Sequence, residues 1–342
     1  MNVSLLISPA VRVGLVAVLA LSAAPMAAAQ APAAAPRSRT FQLTSTATVP
    51  VAPAGTKTLD VWLPVPHADA SQDVRDLKIE TSVPYKIEKG AFGNQMLHLR
   101  PATLPAAPLV VKLSAQITRR EHLNLRANAP AAKPAKKEKA DPDMARWLAP
   151  DRLVPLDSKI RQQAREVVAK AHAKTNLDKA RAIYEHVVGT VTYDKTGQGW
   201  GRGDIYYACD ARRGNCTDFH AIVIGYCRAL GIPARFSIGL PLPAQRGHGE
   251  IKGYHCWAEF FTPATGWVPV DASEAAKDPS RRAYFFGAHD ENRVEFTRGR
   301  DVELTPKQAG PPLNYFVYPY AEADGQPLEV ARTYEFSDIT TQ

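Results

Sequence analysis

The chain has 342 residues, 45% of them apolar and 22% charged, with a formal net charge of +8. This composition is typical of a globular protein that is long enough for two domains. Four cysteines are far too few for a disulfide-stapled scaffold, and no nucleic-acid-binding motif accompanies the positive charge, so a nucleic-acid partner is not expected.

Residues 1–29 have the pattern of a secretory signal peptide. Arg12 provides a positive flank, residues 13–21 form an apolar segment, and three alanines ending at Ala29 provide a cleavage site. No later run reaches the roughly 18 apolar residues that a membrane-spanning helix needs. We therefore expect a periplasmic or secreted protein without a transmembrane segment, cleaved near Ala29.

The next part of the chain predicts an N-terminal β-sandwich domain at residues 40–126. Short alternating runs such as FQLTSTATV, TLDVWLPV, DLKIETSV, MLHLRP and LVVKLSAQITRR are separated by clusters of Pro, Gly, Asn and Asp. Residues 127–143 have almost no apolar bulk and are rich in Pro, Ala and Lys. They are predicted to be a linker or a long exposed loop.

Residues 144–342 are predicted to form a catalytic domain that ends in further strands. Helical patterns cover residues 157–173 and 176–189, and the Gly-rich loop KTGQGWGRGD follows. The later runs ARFSIGLPLP, YHCWAEFFT, GWVPVD, RVEFT and LNYFVYPYAE are strand-like. Helices followed by strands, without alternation of the two, predict an α+β fold.

A helix is predicted to begin at Cys216. From Phe219 to Leu230 apolar residues recur at helical spacing, and Asn215 and Asp218 have the spacing of a capping box. Cys216 is therefore expected at the first helical position, where the helix dipole favours a thiolate and a free backbone N–H can bind an oxyanion. The alternative is an inert cysteine buried in the core.

Two later strands carry His255 and Asp271. A hairpin that pairs Phe261 with Thr265 would set His255 directly opposite Asp271, with Trp257 on the same face. Facing side chains are close enough for a carboxylate to orient an imidazole. The alternative is an exposed ion pair on the rim of a sheet.

Together these residues predict a catalytic triad. Cys216 would attack the substrate, His255 would take and return the proton, and Asp271 would orient the imidazole ring.

Three segments resemble those of the transglutaminase-like (papain-fold) superfamily. GNCTDFHAIVIGYCRALGIPARF resembles its Cys-bearing helix and following strand, GYHCWAEFF its His strand, and GWVPVDAS its Asp strand. The similarity covers residues 145–275. It implies a bacterial exported member with a Cys-bearing helix packed on an antiparallel sheet, and the same triad of Cys216, His255 and Asp271. The superfamily includes acyltransferases, peptidases, amidases and members without known activity.

Further residues are predicted to support the site. Asp218 is expected to cap the helix, and His220 and Trp257 are expected to lie close behind the catalytic groups. His220 stands where a typical member has a small residue. Trp200 and Gln198, in the Gly-rich loop, are candidate donors to an oxyanion.

The remaining cysteines leave alternatives open. Cys209 and Cys256 are consistent with a disulfide or with free thiols, and the state of Cys227 is equally open. Because the Cys and His residues match no compact zinc-binding spacing, neither a metal nor another cofactor is expected. A zinc-stabilised domain is the alternative.

The sequence therefore favours an exported thiol enzyme that acts on peptide or side-chain carboxamides through a thioester. Its acyl group would pass to water, as in an amidase or cysteine protease, or to an amine, as in a transglutaminase. The expected partner is a peptide or protein of the cell envelope. The alternative is a catalytically silent envelope protein that uses the same fold to bind a partner peptide.

Overall fold

The structure is a computed structural model that describes Met1 and residues 36–124 and 144–339. The predicted signal peptide (1–29) and linker (127–143) lie outside the described residues. From Pro36 onward the described residues belong to one compact unit.

The described residues contain eighteen β-strands and five α-helices. The strands before the first helix are β1 Ser38–Val49, β2 Leu59–Val65, β3 Gln72–Thr81, β4 Tyr85–Lys89, β5 Gln95–Leu99, β6 Leu109–Arg120 and β7 His122–Leu123. The middle of the chain forms α1 Ser158–Lys170, α2 Asn176–Thr190, β8 Thr192–Tyr193, α3 Ile205–Ala211, β9 Arg213–Gly214 and α4 Cys216–Ala229. The remaining elements are β10 Ala234–Pro241, β11 His248–Glu250, β12 His255–Thr262, β13 Gly266–Val270, α5 Ala272–Lys277, β14 Ala288–His289, β15 Arg293–Arg298, β16 Tyr320–Ala323, β17 Gln326–Leu328 and β18 Ala331–Asp338.

Two five-stranded sheets form the sandwich. Their strand orders are β11-β18-β1-β6-β3 and β17-β16-β2-β5-β4. Alternate side chains of β1 and β6 are buried, and those at one end share a core cluster with β2 and β5 of the facing sheet. The C-terminal strands β16 and β18 pair with β2 and β1, so both ends of the chain contribute to the sandwich.

The predicted strands of the N-terminal part are all present, with small differences in their bounds. β4 was not predicted, because most of its side chains are exposed and its burial does not alternate. The predicted strand over residues 313–322 is wrong for its first part, since only Tyr320–Ala323 pairs in a sheet. Phe316 and Val317 are buried in this irregular segment, which explains its strand-like apolar character.

Helix α4 lies at the centre of the second half of the chain. It packs on β12 and β10 of a four-stranded antiparallel sheet ordered β13-β12-β10-β15, and α1, α2, α3 and α5 cover its other sides. All residues of α4 are buried, whereas the spacing of its apolar residues predicted that one face would be. Even Arg228 is inside, where its guanidinium donates to the carbonyl oxygens of Ala149 and Ala234 and binds the carboxylate of Asp151.

The predicted register of the β12–β13 hairpin is wrong by two positions. Phe261 pairs with Trp267, because the turn is closed between Thr262 and Gly266. The side chains of Thr262 and Thr265 hydrogen-bond across this turn at 2.7 Å, and this contact holds the observed register. A shift of two residues keeps every side chain on its original face, whereas a shift of one would reverse them all.

Within residues 36–124 and 144–339, no helix combines the length and apolar character that crossing a membrane would require.

Candidate active site

Cys216 is the first residue of α4, as predicted. Asn215 caps the helix by accepting the Thr217 N–H at 2.9 Å, and Asp218 completes the capping box by accepting the Asn215 N–H at 2.9 Å. The cysteine is 1% exposed. Its sulfur therefore lies at the positive end of a buried helix, where an anion is stabilised.

Asp218 also anchors the Gly-rich loop against the helix. Its carboxylate accepts the backbone N–H groups of Gly201 at 2.7 Å and Gly203 at 3.0 Å. Gly214 is required beside it, because φ is 152° there and an added Cβ would lie 2.2 Å from the Asp218 carboxylate. Asp218 therefore caps α4, as predicted, and also holds the Gly-rich loop against the start of this helix.

Replacing Asp218 with alanine is therefore expected to lower the free energy of unfolding by roughly 2–4 kcal/mol, because three buried N–H groups lose a charged acceptor. Urea denaturation followed by circular dichroism measures the change. Asp210→Ala, at an exposed site of the preceding helix, is the matched control and should change stability by less than about 0.5 kcal/mol. Equal effects of the two substitutions would contradict this role of Asp218.

His255 and Asp271 are in contact behind the cysteine. His255 Nε2 lies 2.7 Å from Asp271 Oδ2, and both residues are buried. The observed register makes them diagonal neighbours rather than a directly opposed pair. Asp271 lies just past the end of β13 and caps α5, where its other oxygen accepts the Ser273 hydroxyl and the Glu274 N–H.

Cys216, His255 and Asp271 affect one another's protonation. Burial opposes the imidazolium, but the charge and hydrogen bond of Asp271 and the neighbouring Cys216 raise the pKa of His255 to about 10. Burial likewise opposes the thiolate, but hydrogen bonds from Cys256 and His255 hold the pKa of Cys216 well below its usual range. The favoured state at neutral pH is therefore a thiolate beside an imidazolium.

Comparisons with known proteins find similarity in part of the sequence and in the fold. Residues 161–272 match the family model of the transglutaminase-like superfamily. A candidate cysteine protease of Cytophaga hutchinsonii has a similar fold, with a TM-score of 0.59 at 16% identity, over 90% of this chain and 92% of that one. Residues 161–272 therefore form a transglutaminase-like domain.

Two further similarities are weaker. An uncharacterized protein of Haemophilus influenzae is 28% identical over 313 residues, which are 81% of this chain and 84% of that protein. The periplasmic domain of TgpA from Pseudomonas aeruginosa is 16% identical, over 71% of this chain and 92% of that domain. Its TM-score is 0.37.

Cys256 adds a second sulfur to the transglutaminase-like site. Burial and the nearby Cys216 thiolate raise the pKa of Cys256 well above its usual range, so it remains a thiol and can stabilise the Cys216 thiolate. Its Sγ also lies 3.6 Å from His220 Nδ1. All four cysteines are free, so the alternative of a Cys209–Cys256 disulfide is not present in the structure.

Removing this donor is expected to raise the pKa of Cys216. In Cys256→Ala the thiolate loses one hydrogen bond, so its ultraviolet absorbance should appear at higher pH than in the unmodified protein. Cys209→Ala is the control, because Cys209 contacts Tyr226 rather than Cys216. An unchanged thiolate titration in Cys256→Ala would show that this thiol does not stabilise the nucleophile.

Arg293 is a buried cation that the sequence analysis missed. Its Nη1 donates to Asp271 Oδ2 at 3.0 Å, on the oxygen that also contacts His255, and its other nitrogens bind Asp290. Together with His255 it holds the pKa of Asp271 well below its usual range, against the effect of burial. A charged residue at the start of the strand β15 was the available signal.

His220 lies behind the cysteine, as predicted. Its Nε2 accepts the Ala272 N–H at 3.2 Å, so its proton is assigned to Nδ1, which faces the Cys216 carbonyl oxygen at 2.8 Å. Burial lowers the pKa of His220, which favours this neutral form. The residue therefore ties α4 to the start of α5.

The loop residues Trp200 and Gln198 lie before the helix and are less well placed. The Trp200 indole N–H donates to Gly197 within the same loop at 3.2 Å, and Gln198 is exposed. Trp257 is buried against His255, with ring centroids 6.0 Å apart.

Tyrosines surround the cysteine, and the sequence analysis did not identify them. Tyr193, Tyr254, Tyr315 and Tyr318 are half-buried, and in each case burial and the nearby Cys216 charge raise the pKa of the phenol. The Tyr254 hydroxyl also accepts a hydrogen bond from Asn215 Nδ2 at 2.9 Å. These rings lie far apart in sequence, so no local pattern connects them.

One group of side chains resembles a metal site but does not fit one. Among the described residues, potential ligand atoms of His67, Asp69 and Glu295 lie within 4.8 Å of one another. Arg298 already contacts both carboxylates, and its guanidinium would repel a cation at this position.

Proposed function

We propose that this transglutaminase-like protein is a cysteine enzyme that cleaves or transfers acyl groups from peptide or side-chain carboxamides. The observation that supports this most strongly is the hydrogen bond between His255 and Asp271 next to Cys216, with the thiol pKa lowered and the imidazole pKa raised to about 10. A poised thiolate next to a protonated, oriented imidazole is the arrangement that nucleophilic catalysis at a carbonyl requires.

In the proposed reaction the Cys216 thiolate attacks the carbonyl carbon of the amide. The new oxyanion accepts the free N–H at the start of α4, and the His255 imidazolium protonates the leaving nitrogen as the C–N bond breaks. Water or an amine then attacks the thioester and gives its proton to His255. The acid or new amide is released, and Cys216 returns as the thiolate.

A second oxyanion donor would complete the site. Trp200 would have to release its hydrogen bond to Gly197 before it could donate, and Gln198 would have to move inward from its exposed position. We therefore propose the Cys216 N–H as the main donor and these two side chains as candidates that act only after substrate binds.

The proposed substrates are peptides or proteins of the cell envelope. The signal-like sequence at residues 1–29 supports export, and four tyrosines around Cys216 would offer aromatic surface to a peptide.

Activity-based profiling tests the proposal. Wild-type protein and Cys216→Ala are incubated with libraries of peptide amides, and hydrolysis and incorporation of an added amine are read separately. We expect turnover or thioester capture with the wild type and none with Cys216→Ala. Cys227→Ala, on the same helix, is the matched control and should retain activity.

The second candidate is a silent binding protein, and the 1% exposure of Cys216 is the observation that favours it. Such a protein would bind a peptide equally well with or without the Cys216 sulfur and would turn over no library member. If the wild type bound peptides but formed no thioester with any of them, the protein would be a binding protein and not an enzyme.

A further inference from the structure

A polar cavity of about 360 Å³ lies between the four-stranded sheet and the N-terminal sandwich. We call it the Arg119 cavity. Its lining includes Asp69, Arg119, Trp257, Glu259, Glu295 and Arg298. This volume corresponds to roughly a dozen water molecules, which is room for a small organic molecule.

The acidic residues of the Arg119 cavity already have basic partners. Asp69 binds Arg298, and Glu295 Oε1 lies at ion-pair distance from Arg298 Nε, 2.6 Å away, although neither of these two atoms forms a hydrogen bond. Glu259 binds Arg235 and lies 3.1 Å from His122.

Arg119 differs from Arg298 and Arg235 because it forms no ion pair with any of the described residues. Its side chain is 1% exposed, its Nε has no hydrogen-bond partner, and the one hydrogen bond found for its guanidinium among the described residues is a long contact to Gln72 Oε1, at 3.4 Å. Burial lowers the pKa of Arg119. A buried guanidinium with unused donors beside a polar cavity is a group that lacks its acceptor.

We propose that the Arg119 cavity binds a small molecule that carries one carboxylate together with hydrogen-bond donors, such as a free amino acid or a dipeptide. The carboxylate would take the unused donors of Arg119. The ammonium group would face the carboxylates of the lining, which would repel a ligand with several negative charges. Trp257 and the partly buried Trp267 supply apolar walls.

This site is separate from the proposed catalytic one. None of Cys216, His255 and Asp271 lines the Arg119 cavity. Trp257 connects the two sites, because its ring centroid lies 6.0 Å from the His255 ring and 6.0 Å from the Arg119 guanidinium carbon. The proposal goes beyond the proposed acyl transfer and does not depend on it.

Isothermal titration calorimetry of the purified full chain tests the proposal, with alanylalanine, its C-terminal amide and inorganic phosphate as probes. We expect saturable binding of the dipeptide, with the amide and phosphate at least about tenfold weaker, since a charge-assisted hydrogen bond contributes this much. Binding should be unchanged in Cys216→Ala, because the proposed ligand does not use the Cys216 sulfur, and the arginine variants below test the location.

Two arginine variants test whether the dipeptide binds in the Arg119 cavity. Arg119→Met should reduce dipeptide affinity by at least about tenfold, whereas Arg120→Met, on the opposite face of the same strand, should not change it. Arg119→Met removes an unsatisfied buried charge, so we expect it to fold, and its melting temperature checks this. Equal binding of acid and amide by the wild type, no saturable binding, or full binding by folded Arg119→Met would each overturn the proposal.

Discussion

Replacing His255 with alanine is expected to slow acyl transfer by roughly 10⁵-fold. His255 is the group that holds the proton for the leaving nitrogen, and its hydrogen bond and charge help to keep Cys216 ionised. The variant would lose both contributions, because removing one member of a coupled catalytic group removes nearly the whole effect. The measurement is kcat/KM on the peptide amide that the wild type turns over fastest.

The matched control is His248→Ala. His248 is exposed on β11 and pairs with the C-terminal strand, so its loss should change kcat/KM by less than about threefold. If His255→Ala retained more than about a tenth of the wild-type rate while Cys216→Ala was inactive, another residue would have to act as the base. His220 would then be the first residue to examine, because it contacts the Cys216 backbone.

Replacing Asp271 with asparagine is expected to slow acyl transfer by roughly 10³- to 10⁴-fold. The neutral amide would no longer stabilise the imidazolium, so the pKa of His255 should fall from about 10 toward its usual value. The high-pH limb of the kcat/KM profile should therefore move to lower pH, because that limb reports loss of the His255 proton. A structural defect alone would lower the rate without moving this limb.

Asp278→Asn is the control for Asp271→Asn. Asp278 caps the next short helix from an exposed position, so the same chemical change there should leave the profile unchanged. Arg293→Met should move the same limb upward, because the variant removes a cation that shares Asp271 Oδ2 with His255 and disfavours the imidazolium. An unchanged limb in Asp271→Asn would contradict a role for this carboxylate in holding the imidazolium.

The sequence predicted those parts of the site that depend on local signals. The capping box of Asn215 and Asp218, with helical spacing after it, placed Cys216 at the start of a helix, and the structure agrees. The alternating patterns of the N-terminal part predicted its strands for the same reason. Even with the wrong register, His255 and Asp271 remained on one face, because a two-residue shift preserves the alternation of side chains.

The remaining features depend on contacts between distant segments. Arg293 reaches Asp271 from a strand 22 residues later, and no sequence spacing reveals that two buried groups share one carboxylate oxygen. The donor role of Cys256 depends on how β12 packs against α4. The return of the C-terminal strands to the sandwich is also a matter of topology, which local patterns do not determine.

We expect Cys216 to be a thiolate at neutral pH, held by a protonated His255. The most direct test is the pH dependence of alkylation of each cysteine, measured by mass spectrometry after brief exposure to iodoacetamide. Cys216 should react at a rate that is nearly constant through neutral pH, whereas Cys227, with a pKa raised to about 12, should react slowly and roughly tenfold faster with each unit of pH. The same steep rise for both cysteines would show that Cys216 is not a thiolate at neutral pH.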